Sequence, residues 1–267
     1  MKNLLIKTVA LSVVVMFAVS CKKDGPTGAT GATGPAGGPI MTGNIEGVVF
    51  IYDAGGVKQT SSALLAGDSI ILTNNNNGAV YKTTTNSTGF YTFTNVPSGT
   101  YSFTVTKPDY GINKAFGFEF VGGGTTYKNF NLSQIPTTNV IAVQTNTTIV
   151  SGSSPTVISV QISGTVTTTL ENTNEIIFIS STASVSGALG SYVSYFLSAS
   201  SAGISGFGTN IAASTFYGLG FTSGSTVYLA TYVYGGTVGS NYTDPISGLN
   251  VYTALSSTPV IMSCIVP

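Results

Sequence analysis

Thr85-Asn86-Ser87-Thr88-Gly89-Phe90-Tyr91-Thr92-Phe93-Thr94-Asn95-Val96-Pro97-Ser98-Gly99-Thr100-Tyr101-Ser102-Phe103-Thr104-Val105 is the stretch whose reading decides the fold. Asn86 to Gly89 offers a turn with Gly available for positive φ, and Pro97 to Thr100 offers a second. Between and after the turns, aromatic and β-branched residues alternate with Thr and Ser. Tyr91 and Phe93 are therefore expected to point inward, and Tyr101, Phe103 and Val105 to return along the same face with Ser102 and Thr104 outward. Two aromatic pairs then meet across or between strands. Upstream, Ile45, Gly47, Val49 and Ile51 share one face, and so do Ile70 and Leu72. This is the period of half-buried strands.

The motif Gly89, alternating apolar residues, Pro97-Ser98-Gly99-Thr100-Tyr101 and alternating apolar residues again resembles the carboxypeptidase regulatory-like, transthyretin-like domain. Leu65-Ala66-Gly67-Asp68-Ser69-Ile70-Ile71-Leu72 fits its second strand, and Pro108-Asp109-Tyr110-Gly111 fits the loop after the Tyr101 strand. The resemblance covers residues 43–133. It implies a seven-stranded antiparallel sandwich that serves as stalk, spacer or docking module, with no reaction attached. Ala115 to Val121 and Thr125 to Leu132, joined by Gly122-Gly123-Gly124, are expected to form its last hairpin.

Gln134-Ile135-Pro136-Thr137 breaks the alternation and marks a boundary. Residues 137–267 offer further strands over 140–150, 156–170, 175–183, 192–199, 214–221, 225–234, 249–255 and 260–265, and no convincing helix. An eight-strand sandwich fits this pattern. The fold class expected for the whole chain is thus all-β, two consecutive antiparallel β-sandwich domains after a leader and spacer. Leu219 to Tyr232 resembles the corner and sixth strand of a fibronectin type III or immunoglobulin-like domain. If Val227, Leu229, Thr231 and Val233 face the core, then Tyr228, Ala230, Tyr232 and Tyr234 face outward; one residue of slip buries the tyrosines instead. Both registers are open to the sequence. Tyr228, Tyr232 and Tyr234 form the candidate binding face, since a phenol offers an apolar ring and a hydroxyl to sugars or protein partners.

The beginning of the chain carries Lys2 and Lys7, an apolar run from Val9 to Val19, Ser20 and then Cys21. The run is shorter than the roughly 20 apolar residues a transmembrane helix needs, so residues 1–20 read as a cleavable signal. A small residue followed by Cys resembles the lipobox of bacterial lipoproteins, with Ala18 where that family prefers Leu. The resemblance implies cleavage after Ser20 and lipidation of Cys21. Gly25 to Gly37 then repeats Gly at every third position and resembles a short collagen-like tract. Holding three chains on so few triplets would cost about 1–2 kcal/mol of backbone entropy per residue, so a monomeric spacer over residues 21–42 is favoured over a collagen-type trimer. Extended as polyproline, Lys22 to Thr42 reaches on the order of 60 Å at about 3.1 Å per residue. Together these features resemble Bacteroidetes surface lipoproteins, which implies an outer-membrane, lipid-anchored, cell-surface location.

Composition narrows the chemistry. Charged residues make up 7% of the chain, His and Trp are absent, and all nine basic residues are Lys, ending at Lys128. No basic patch exists to hold nucleic acid. Without His there is no Ser-His-Asp arrangement and no imidazole metal site, and no cofactor is indicated. Glu171 and Glu175 read as a polar loop rather than a glycosidase pair, and Asp53, Asp68 and Asp109 lack the spacing of a calcium loop. Asp68-Ser69-Ile70 matches the short O-glycosylation pattern that the lipoprotein resemblance makes relevant, at Ser69. Cys264 lies in an apolar run and reads as a small buried hydrophobe. The expected function is a non-enzymatic structural, adhesive or interaction module whose partner is a surface protein or glycan. The alternative is a carbohydrate-binding accessory lipoprotein of an outer-membrane uptake system. An exposed tyrosine row favours the alternative, and a buried one favours the module.

Overall fold

Alternation predicts strands at Ile45–Ile51, Ser69–Leu72 and either side of Pro97, and strands form there. The computed structural model describes residues 40–137, 139–150, 157–166, 173–200, 206–235 and 240–267. Cys21, Ser20, the Gly-X-Y tract and Glu171 lie outside the described residues. Ile40–Pro267 constitutes one compact unit. Among the described residues no helix is long and apolar enough to cross a membrane.

The first region contains β1 (Thr42–Tyr52), a single helical turn α1 (Ser62–Leu65), β2 (Ser69–Asn74), β3 (Val80–Thr84), β4 (Phe90–Pro97), β5 (Gly99–Thr106), β6 (Asn113–Phe120), β7 (Thr125–Tyr127) and β8 (Phe130–Ser133). One sheet runs β3-β2-β5-β6; the other runs β4-β1-β7, with β8 also pairing β1. Their inner faces meet in one core that includes Ile45, Val49, Ile51, Ile70, Leu72, Tyr91, Phe93, Tyr101, Phe103 and Val105. Tyr91 and Phe93 thus face Tyr101 and Phe103 from opposite sheets, because the single residue between β4 and β5 turns the chain across the sandwich. Phe130 links the two sets, with ring centroids 5.1 Å from Phe103 and 6.4 Å from Tyr91. The Tyr101 hydroxyl donates to the Pro97 carbonyl at 2.7 Å and fastens that turn.

The expected last hairpin does not form. β6 pairs with β5, whereas β7 and β8 cross to the other sheet and pair with β1 in parallel. One edge of β1 would otherwise expose its N–H and C=O groups, and this crossing satisfies them. The sandwich therefore has eight strands rather than seven and is not wholly antiparallel. Gly47 makes the crossing feasible: a Cβ there would lie 1.9 Å from the Lys128 carbonyl oxygen, so only glycine admits the β7–β8 connection against β1.

The second region contains β9 (Val140–Val150), β10 (Val157–Val166), β11 (Thr173–Ser180), β12 (Ser194–Ser200), β13 (Gly206–Ala212), α2 (Ala213–Gly218), β14 (Thr226–Tyr234), β15 (Asn241–Thr243), β16 (Asn250–Tyr252) and β17 (Val260–Ile265). A sheet β13-β10-β9 packs on a sheet β12-β11-β14-β17, and β15-β16 forms a separate hairpin. The pairs in these sheets are antiparallel. Val160, Ile162, Ile177, Ile179, Val227 and Leu229 fill the space between the two sheets. The strand expected over 214–221 is instead α2, which buries Ala213 and Phe216 at helical spacing. Glu175, which ends the expected polar loop and opens the expected strand over 175–183, sits fully buried within β11 opposite Ser198 and Val233.

The two sandwiches are bolted together beside residues 134–137, where the sequence predicts a boundary. Ser133 donates its N–H to Ser240 Oγ at 2.7 Å, and Thr253 Oγ1 donates to the Ile112 carbonyl at 2.7 Å. A Cβ on Gly111 would stand 2.4 Å from Ser240 Cβ and 2.7 Å from the Ala254 nitrogen, so glycine is what permits this approach. Tyr242 of β15 meets Phe116 of β6 edge to face at 6.0 Å, with the Lys114 ammonium 5.1 Å from the Tyr242 ring centroid.

Candidate functional site

The tyrosine row was the candidate face, and β14 decides where it points. Val227 and Leu229 enter the core between the sheets, so Tyr228, Ala230, Tyr232 and Tyr234 lie on the outer face of the same strand. That outer face is not open. Tyr232 is 8% and Tyr234 4% exposed, while Tyr228 is half-buried. Of the two registers open to the sequence, the one with valines inward holds, and an added layer buries Tyr232 and Tyr234 and packs against Tyr228.

The covering layer comes from two long connections. The segment after β11 contributes Val185 and Tyr192, and the β15-β16 hairpin and its flanks contribute Leu249, Tyr252 and Leu255. Phe178 of β11 is the centre of the layer, with ring centroids 4.8 Å from Tyr192, 5.8 Å from Tyr232 and 6.3 Å from Tyr252. Tyr195 and Tyr252 lie 4.9 Å apart, and Tyr234 and Tyr252 5.8 Å, both edge to face as aromatic quadrupoles prefer. Tyr192 donates its hydroxyl proton to the Asn250 carbonyl, Asn250 Nδ2 donates to the Tyr195 oxygen at 3.1 Å, and the Gly187 N–H reaches the Tyr232 oxygen at 3.4 Å.

Burial disfavours phenolate in this layer. It pushes Tyr234 up to about 12, with Tyr195 and Glu175 adding to the effect. Tyr252 is raised further by burial and by its hydrogen bond with Tyr195, and Tyr192 is raised by burial. The hydroxyls of Tyr192 and Tyr252 therefore serve as neutral hydrogen-bonding groups within a packed layer. Phe178, Tyr192, Tyr195 and Tyr252 were not among the sequence candidates. Their signal was the uninterrupted run Ile176-Ile177-Phe178-Ile179, which marks a strand buried on both faces.

The remaining candidates are dispersed. Ser69 opens β2 between Thr84 of β3 and Thr106 of β5 and is half-buried. Asp68 beside it is fully buried; Lys107 Nζ lies 2.5 Å from its Oδ1 and also donates to the Ala66 carbonyl at 3.2 Å. Burial raises the Asp68 carboxyl above its ordinary range, against the pull of Lys107. Asp53 instead accepts from the Gly55 and Val57 N–H groups and from Gln59 Nε2, closing its own turn. Asp109 adopts φ 66 in the turn before Tyr110. Among the described residues no group of three or more His, Cys, Asp or Glu side chains comes together to hold a metal ion. Cys264 is buried in β17, and burial pushes its thiol up, away from nucleophilic thiolate.

Comparison with known proteins gives a family match for part of the chain. Residues 54–133 match the carboxypeptidase regulatory-like domain. The sandwich itself begins earlier, because β1 at Thr42–Tyr52 pairs with β4, β7 and β8. No curated protein matches the chain. Solved structures similar to it include a putative carbohydrate binding protein from Bacteroides uniformis, 14% identical, covering 84% of this chain and all 100% of that one at a TM-score of 0.28. A type II cohesin–X-dockerin complex from Acetivibrio cellulolyticus is 16% identical at a TM-score of 0.28, over 34% of this chain and 57% of that one. A minor pilin of Streptococcus agalactiae is 15% identical at 0.28, over 37% and 47%. The match thus spans little more than half the length of the cohesin complex chain and under half that of the pilin. Agreement at this level says nothing about ligand or partner.

Proposed function

We propose that this protein is a non-enzymatic surface lipoprotein whose two β-sandwiches act as a structural, adhesive or interaction module. Cys21 is the anchor, acylated after cleavage behind Ser20, and the Gly-X-Y segment is a spacer that lifts a monomeric ectodomain off the outer membrane. Of the two expected partner classes, a surface protein met outside the cell is the one this reading takes. We read the second sandwich as fibronectin type III-like, a reading supported by its three-strand sheet packed on a four-strand sheet. Ser69 remains our candidate for O-glycosylation.

The observation that carries the choice of module over carbohydrate-binding protein is the sealed tyrosine layer. A sugar platform needs an open ring face, and here the faces of Tyr232 and Tyr234 are taken up by packing. The test has two arms. Cys21→Ser is expected to leave the membrane fraction while staying folded, and proteinase treatment of intact cells is expected to degrade the anchored protein. A glycan array probed with the released ectodomain is expected to stay blank; strong selective glycan binding would restore the carbohydrate reading.

A further inference from the structure

The first sandwich has a feature that display alone does not require. Its first strand, β1, and its last, β8, are parallel neighbours in exact sequence register: Val49 opposite Phe130, Phe50 opposite Asn131, Ile51 opposite Leu132 and Tyr52 opposite Ser133. β7 pairs with the earlier half of β1 at Asn44, Ile45 and Glu46. The break between β7 and β8 does not interrupt the bonding. The Lys128 N–H donates to the Glu46 carbonyl at 2.8 Å, and the Val48 N–H donates to Asn129 Oδ1 at 2.9 Å. The ladder is closed at both ends, by Asn44 N–H to the Gly124 carbonyl at 2.8 Å and Gln134 N–H to the Tyr52 carbonyl at 2.9 Å. Across the sheet, the Tyr91 hydroxyl donates to the Lys128 carbonyl at 2.6 Å and ties the connection down.

Because the strands are parallel, the chain enters this ladder at one end, at Thr42, and leaves it at the other, beyond Ser133. A pull between those points runs along the strands and loads the hydrogen bonds together. A pull at two neighbouring ends opens them one after another. Simultaneous loading requires many bonds to fail in a single event, which raises the barrier to forced unfolding. The exit point continues directly into the contact with the second sandwich, where Ser133 bonds Ser240 in both directions.

We propose that the first sandwich is a load-bearing element: tension between the segment before Thr42 and the second sandwich is carried in shear by the β1–β7/β8 ladder. This deepens the structural reading of the module and rests on it only for the source of the tension. The mechanical property itself is testable without a membrane. The experiment is single-molecule force spectroscopy on the full chain in a Cys21→Ser background, with Cys264 left in place because it is buried. Handles are attached through Met41→Cys with Thr137→Cys for shear, and through Met41→Cys with Gly124→Cys for peeling, since residues 41, 124 and 137 are exposed. Ile40→Cys replaces Met41→Cys if the latter does not fold. At equal force the shear arrangement is expected to unfold at least about tenfold more slowly, because forced unfolding is governed by the unfolding rate. Equal rates, or slower unfolding in the peeling arrangement, would overturn the proposal while leaving the surface-display reading untouched.

Discussion

The first sandwich closes one core between two sheets, whereas the second stacks two cores on either side of β11 and β14. In the first, β1, β2 and β5 bury every other residue, and the intervening side chains are at least partly open to solvent. In the second, Glu175 to Ser180 are all buried, and so are Leu229 to Tyr234, save that the two faces look into different layers. Alternation therefore has two meanings. Where polar and apolar residues alternate, one face is wet; where valines and tyrosines alternate, the period separates two kinds of core. Tyrosine suits the second core because its hydroxyl can reach backbone partners such as the Asn250 carbonyl from within a packed layer.

The sharpest way to break this comparison is the pair Tyr232→Ala and Tyr234→Ala. An open binding row would lose ligand and keep its stability. A sealed layer is expected to lose about 3–5 kcal/mol for each large-to-small change, enough in combination to threaten a domain's net stability of about 5–15 kcal/mol. Urea unfolding followed by the tyrosine near-ultraviolet circular dichroism measures it, and an unchanged midpoint would mean the layer is not packed as described.

Lys107→Met tests the buried ion pair at the charged end of the first core; the second sandwich contains no lysine. Leaving Asp68 buried without its cation is expected to cost about 3–5 kcal/mol near neutral pH. Burial already raises the Asp68 carboxyl, and losing the ammonium raises it further. A carboxyl raised in the folded state favours folding at low pH and loses that contribution as pH rises through the folded value. The deficit of Lys107→Met is therefore expected to shrink as pH falls toward about 4. A deficit that grew on acidification would contradict the assignment.

Smaller effects sharpen the same contrast. Tyr91→Phe removes the bond to the Lys128 carbonyl and is expected to cost about 1 kcal/mol, measured as a shift of the denaturation midpoint. Ile246, 94% exposed at the tip of the β15-β16 turn, packs against neither core. Ile246→Ser is accordingly expected to fall within about 0.5 kcal/mol of the parent by the same measurement.

Much of the first sandwich was legible because its signals are local. Pro97 and Gly99 mark a turn, Tyr91 and Phe93 mark a face, and neither needs knowledge of a distant partner. The expected last hairpin failed for the opposite reason: Gly122-Gly123-Gly124 suits a hairpin loop, and only the unpaired edge of β1, some 80 residues earlier in the chain, calls β7 and β8 to the other sheet. In the second sandwich Gly206 and Gly208 break the alternation that marks a strand and so hid β13, while residues 214–221 read as a strand when Ala213 and Phe216 sit one helical turn apart. Whether the tyrosine face was open could not be read because periodicity tells which side chains share a face, and not what covers it. Cys21 and Ser20 stand on motif alone.

The notch at Gly111 bears on how freely these sandwiches can be exchanged. Ser240 and Ala254 approach its backbone so closely that a side chain has no room, and Thr253 bonds the next carbonyl. Each sandwich thus fits the surface of the other at this point. A recombination event that joined the first sandwich to an unrelated successor at the 134–137 boundary would inherit an unfilled notch and unmatched polar groups. The pair should therefore be transmitted as a single cassette, with new partners acquired outside it rather than between its halves.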